Sequence, residues 1–196
     1  MGMKRENNLP DGLNEAARRA STRFEAKYKA YMEDLRQKVA LTILVWGPNL
    51  GSQSPVANKR KEIFQALQKL GHKAVFSENI NVEVGNVSEK MKEFAQALAA
   101  DLIIILLEDA PGALAEAHDF CNHPDLAPKI YVMITRKYEG GYSAQGAIKD
   151  LDDGYGGVYW YAEEELEICN VRTKAVRRAE ARRCIYSYLQ VRGTQL

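Results

Sequence analysis

Val39-Ala-Leu-Thr-Ile-Leu-Val-Trp46, closed by Gly47-Pro48 and followed after a polar loop by Pro55-Val-Ala-Asn-Lys-Arg-Lys-Glu-Ile-Phe-Gln-Ala-Leu-Gln-Lys-Leu70, decides the fold class. The first run is apolar along its length and rich in β-branched residues, as a strand covered on both faces of a parallel sheet must be. The second run has helical period at Val56, Ile63, Phe64, Leu67 and Leu70, with Ser54 as its N-cap, Pro55 at its first position and Gly71 as its stop. Strand, loop and helix make one βα unit.

The same unit recurs downstream. Lys73 to Phe76 reads as a second strand, and Ser88 caps a helix whose apolar side carries Met91, Phe94, Ala95 and Leu98. Leu102 to Leu107 is a third strand, and a helix opens near Ala113. Lys129 to Ile134 is a fourth strand and Val158 to Tyr161 a weaker fifth. The expected class is α/β: a single open parallel sheet of about five strands flanked by helices, with helices added at the amino and carboxy ends.

Residues 1–38 form the amino-terminal extension and 39–196 the α/β domain. In the extension Ala16, Ala17, Ala20, Phe24, Tyr28, Tyr31 and Leu35 recur every three or four residues, an amphipathic helix whose stripe needs a partner surface, either in this chain or in a second copy. At the other end the acidic stretch Glu163 to Glu167 leads into Arg172, Lys174, Arg177, Arg178, Arg182 and Arg183. That order suits the dipole of a helix beginning in the acidic stretch, with the arginines on a solvated surface. Tyr138 to Tyr142 and Asp152 to Gly157 carry glycines and read as loops.

Composition removes several function classes. The 27 Lys and Arg against 26 Asp and Glu leave a formal charge of +1, so no long-range field draws the protein to nucleic acid or to a membrane surface. Three cysteines without CxxC spacing read as reduced thiols, which predicts a cytoplasmic protein without a disulfide framework or a zinc site. The polar amino terminus and the brevity of the longest apolar run, far short of the roughly 20 residues that span a bilayer, predict neither signal peptide nor transmembrane segment.

In open parallel sheets ligands settle beyond the carboxyl ends of the strands, where helix amino ends converge. Two strand ends stand out. One is Trp46-Gly-Pro-Asn-Leu-Gly-Ser-Gln-Ser-Pro55, whose small residues bring backbone N–H groups close to a ligand. It lacks both the Lys-Ser/Thr of a P-loop and the GxGxxG of a dinucleotide fingerprint, which sets aside ATP hydrolysis and hydride transfer. The other is Glu108-Asp-Ala-Pro-Gly-Ala-Leu-Ala-Glu116, where Pro111 and Gly112 make the turn and Glu116 falls in the first turns of the helix. By itself such an acid does no more than stabilise a helix dipole.

The series from Ile43 to Phe120 resembles the nucleoside 2-deoxyribosyltransferase-like superfamily and is similar in pattern to TIR-like and lonely-guy-type N-glycosidases. It shares a strand ending in Gly47-Pro48, a helix with Arg60, Leu70-Gly-His72, the strand Ala100-Asp-Leu-Ile-Ile104, and Pro111-Gly-x3-Glu116. The resemblance implies that Glu116 acts at the anomeric carbon of a nucleoside, nucleotide or NAD. Trp46, Gly47, Pro48, Ser54, Asp109, Pro111 and Gly112 are then the candidate substrate contacts, with Ser54's helix cap as the simpler role. It also implies a homo-oligomer and, by analogy, a bacterial stress or phage-defence effector that needs no cofactor or metal. The competing expectation is a non-catalytic nucleotide-sensing or protein-interaction module, in which Glu116 is dispensable.

Overall fold

In the computed structural model, residues 11–80, 88–108, 111–141 and 145–191 are described. Two compact units divide the chain, Met1–Lys38 and Val39–Leu196. The first contributes helix α1 (Asp11–Lys38), whose polar surface is laced by ion pairs one turn apart, among them Arg19 with Glu15 and Lys38 with Asp34. Phe24 and Tyr28 stack on its surface, and both are exposed along with Tyr31.

The second unit is an α/β fold. Its elements run β1 (Thr42–Trp46), α2 (Pro55–Lys69), β2 (Lys73–Val75), α3 (Glu89–Ala99), β3 (Leu102–Leu106), α4 (Pro111–Cys121), β4 (Ile130–Thr135), α5 (Ala147–Tyr155), β5 (Val158–Tyr161) and α6 (Asn170–Val191). The five strands form one sheet in the order β2-β1-β3-β4-β5, parallel throughout. Every residue of β3 and β4 is buried, whereas the edge strands β2 and β5 are only partly covered. That is why the central strands read as unbroken apolar runs and the edges as weaker ones.

Alternate residues of each strand feed two cores. Ile43, Val45, Leu102, Ile104 and Leu106 join Val56, Ile63 and Leu67 of α2 with Val171, Ala175 and Ala179 of α6. Leu44, Ile103, Ile105 and Leu107 join Ala97 of α3, Ala117 and Phe120 of α4, and Ile148 and Leu151 of α5. A period of two in the strands thus sorts the helices into two layers, α2 with α6 on one face and α3, α4 and α5 on the other.

Three expectations need correction. The stretch from Asp152, read as a loop, forms the last turn of α5 as far as Tyr155. Ile148 and Leu151 bury one side of that helix, and Gly156 in the left-handed conformation (φ 54°) ends it. The acidic stretch does not begin α6. Glu163–Leu166 is a separate 3₁₀ turn in which Glu165 accepts from the Ala162 N–H and from the Tyr159 hydroxyl, and α6 starts only at Asn170. Nor are all the arginines of α6 solvated. Val171, Ala175, Ala179 and Arg183, four residues apart, are each fully buried, so Arg183 belongs to the face that packs inward.

No helix among the described residues is long and apolar enough to cross a membrane. Cys121, Cys169 and Cys184 are free, and burial pushes the Cys121 thiol up to about 12.

Candidate functional site

Strand order places a switch point between β1 and β3. From β1 the chain leaves over one face through α2 to β2. From β3 it leaves over the other face through α4 to β4, so the two loops diverge and open a crevice. A cleft of about 270 Å³ lies there, walled by Trp46, Gly47 and Pro48 from the end of β1 and by Ile105 to Glu108 from the end of β3. Ala117 and Phe120 of α4, Glu93 of α3, and Ser77 and Glu78 beyond β2 complete it.

The turn after β1 depends on a glycine. Gly47 has φ 152°, and a Cβ there would stand 3.0 Å from the Leu106 carbonyl oxygen and 3.2 Å from Arg60 Cδ. The backbones of the two switch-point strands approach so closely that only hydrogen fits between them.

Arg60, one turn into α2 and fully buried, ties this turn down. Its Nε and Nη2 donate to the Val45 carbonyl at 3.1 and 2.7 Å, and its Nη1 donates to Pro48 at 2.8 Å and Gly47 at 3.3 Å. Both terminal nitrogens also grip the Glu78 carboxylate, each at 2.6 Å, while the guanidinium lies over the Phe76 ring. For Glu78, burial alone would raise the pKa. Arg60's hydrogen bonds and charge, with help from the Glu78 backbone N–H and Ser77, bring it below the ordinary carboxylate value.

Trp46 packs its ring 4.8 Å from that of Phe120. Its indole N–H is buried and hydrogen bonds to no group among the described residues.

Of the expected contacts, Trp46, Gly47 and Pro48 come together on one wall. Ser54 does not join them: its side chain caps α2, accepting from the Ala57 N–H at 3.1 Å. The Gly51 N–H is likewise taken by Asn49 Oδ1 at 2.7 Å. Pro111 and Gly112, expected as the turn before a helix starting near Ala113, are instead the first two residues of α4, while Asp109 lies outside the described residues. Glu116 is on α4, one position before Ala117 and four before Phe120, both of which wall the cleft. Its side chain is outside the description, as are those of 111–113.

Glu78 and Glu93 were missed by reading along the sequence, because each is separated from the two loops, and Glu108, which opens the second quoted stretch, was given no role there. The only usable signal was position: Glu78 follows the second strand, beside the first βα turn.

A second recess of about 520 Å³ lies on the far side of Leu107 and Glu108, walled by Pro55 and Val56, Thr135 and Lys137, and the acidic 3₁₀ turn. Behind that turn Tyr161 is fully buried. Its pKa is raised by burial first and then by the Glu108 and Glu163 charges.

The described residues contain no group of three acidic, histidine or cysteine side chains placed to hold a metal ion. No curated protein matches the chain. Residues 57–188, from α2 into α6, match the family described as STM3845 retron effector protein. The match spans well over half of the sequence, so the chain belongs to that family of retron effectors, a membership that fits a defence-related bacterial protein.

Proposed function

We propose that the chain cleaves or transfers at the N-glycosidic bond of a nucleoside, nucleotide or NAD, as the effector arm of a bacterial phage-defence system. The observation that carries this reading is the meeting of the switch-point cleft with α4, the helix that bears Glu116 next to two cleft-lining residues.

Glycosidic cleavage passes through an oxocarbenium-like centre, which one carboxylate stabilises electrostatically or traps covalently. Glu116 takes that role. The described lining of the cleft contains Glu78, Glu93 and Glu108 but neither lysine nor arginine. A lining that brings carboxylates and no cationic side chain to the ligand suits a base that is already cationic, such as a pyridinium, because that group departs without a proton from an acid residue. Trp46 and Phe120 give the ring an aromatic surface. The protein works in the cytoplasm as a homo-oligomer and uses no cofactor beyond the substrate itself.

The test is chromatography of NAD, nucleosides and nucleotides after incubation with the purified chain, beside Glu116→Gln, which keeps size and removes charge. Free base released by the parent protein alone supports the reading. Release by both would move the chemistry away from Glu116, and release by neither would favour a nucleotide-sensing module.

A further inference from the structure

Glu78 stands three residues past the end of β2, on the wall of the cleft formed by the β1 turn rather than on that of α4. Its two oxygens face the Arg60 fork at 2.6 Å each, and Ser77 Oγ donates to Oε2 at 3.2 Å. A carboxylate offers about four acceptor positions. Arg60, Ser77 and the residue's own backbone N–H use most of them here, and the side chain is still 41% exposed.

Arg60 has no comparable freedom. Every one of its nitrogens donates to the Val45, Gly47 or Pro48 carbonyl or to Glu78, so it is not arranged to receive a ligand phosphate. What it presents to the cleft is a fixed, charge-compensated carboxylate. Such a group suits a neutral O–H donor better than a metal ion, since its charge is already paired and most of its lone pairs are used.

Location narrows the donor. In dinucleotide-binding sheets with a GxGxxG turn an acid after the second strand accepts a ribose hydroxyl; this chain lacks that turn, but Glu78 stands at the corresponding place beyond β2. Here one guanidinium binds both Glu78 and the β1 turn, and so sets the distance between them.

We propose that Glu78 accepts the 2′-hydroxyl of the ligand's sugar, that Arg60 is the positioning residue behind it, and that the cleft therefore selects ribosides over 2′-deoxyribosides. The inference rests on the reading that a nucleoside sugar enters this cleft, but it is independent of what Glu116 does there.

The experiment measures binding of adenosine and of NAD against their 2′-deoxy counterparts, by calorimetry, on the full chain, on Glu78→Gln and on Glu78→Asp, with base release followed in parallel. The full chain should prefer the ribo form about tenfold to a hundredfold, the size expected for one hydrogen bond to a charged group. Glu78→Gln, folded but with a lower melting temperature because Arg60 loses its counter-charge, should lose most of that preference, and Glu78→Asp should keep part of it. A purely structural role for Glu78 would weaken both ligand forms alike and leave their ratio untouched. Equal binding of the two forms by the full chain, an intact ratio in Glu78→Gln, or no binding of any of the four ligands overturns the proposal. If the ratio behaves as expected but no base is ever released, the catalytic reading fails and this one stands; base release without a ribo preference is the converse.

Discussion

Arg60 and Arg183 are both fully buried, and they sit at opposite ends of the same sheet. Arg60 holds the carboxyl end of β1. Arg183 reaches from α6 to the amino ends of β1 and β2, donating to the Leu70 carbonyl at 2.7 Å and to His72 Nδ1 at 3.1 Å. The same Nδ1 faces the Leu41 N–H at 3.4 Å, so it is the acceptor nitrogen, and Nε2 carries the proton towards Glu180 at 3.1 Å. The partners of Arg183 are interior groups of the fold. Those of Arg60 include one carboxylate that opens onto a cleft. Two guanidiniums of equal burial thus serve different ends, and the difference comes from which neighbours they hold rather than from the arginine itself.

Removing each arginine is the strongest way to break that comparison. Arg60→Ala strips the Val45, Gly47 and Pro48 carbonyls and Glu78 of their shared donor, and each buried carbonyl left unpaired costs about 1–3 kcal/mol. Urea unfolding should show that loss, and ligand binding at the cleft should vanish even where the variant is still folded. Arg183→Ala leaves the Leu70 carbonyl and His72 without this donor, for about 1–3 kcal/mol. Its folded fraction should bind ligand as the parent does. If Arg183→Ala altered ligand affinity as much as stability, the division between foundation and site would be wrong.

The strands were legible because burial on both faces writes itself as apolar runs, and β3 and β4 are buried at every position. Helix α5 was not, since Asp152, Asp153 and Gly154 outweigh Ile148 and Leu151 locally, and only packing against the sheet decides the matter. The walls of the cleft at Trp46, Gly47 and Pro48 were readable from one loop. Arg60 could be quoted as a motif residue but not as a clamp. Lys59-Arg60-Lys61 looks like a charged surface, and nothing local says that Arg60 turns inward to meet a residue 18 positions away. Glu78 was invisible for the same reason, its role being set by a neighbouring strand.

Gly47→Ala sharpens the comparison from the backbone side. The new Cβ, 3.0 Å from the Leu106 carbonyl oxygen and on a residue with φ 152°, must push β1 and β3 apart or shift the turn. Strain of this kind costs about 1–3 kcal/mol. The shift lies beside the Arg60 fork, so ligand affinity should fall more than stability does, measured by calorimetry and thermal melting of the same sample. An equal fall in both would mean that the turn is scaffold only. Gly156→Ala is the control. It places a Cβ in open space in the left-handed cap of α5, outside the cleft lining, and should lower stability while leaving binding alone.

The smallest effect is in acid. Glu78 has its pKa held below the ordinary 4.5, with Arg60 outweighing the burial that would raise it. A carboxylate depressed in the folded state adds stability above its unfolded value, and that contribution disappears as pH falls through the folded value. The Arg60–Glu78 link should therefore be intact at neutral pH and weaken below about pH 4.5, although the 41% exposure of the Glu78 side chain means that solvent screens it and keeps the change small. Melting temperatures from pH 6 to 3 should fall more steeply for the parent chain than for Glu78→Gln, which has no carboxylate to protonate at that position. Gly156→Ala supplies the internal reference: less stable throughout, it should keep the parent's slope in this window, because no carboxylate pair is touched. Parallel slopes for the parent and Glu78→Gln would mean that the link is already broken in solution, and the fixed carboxylate on which the sugar contact depends would go with it.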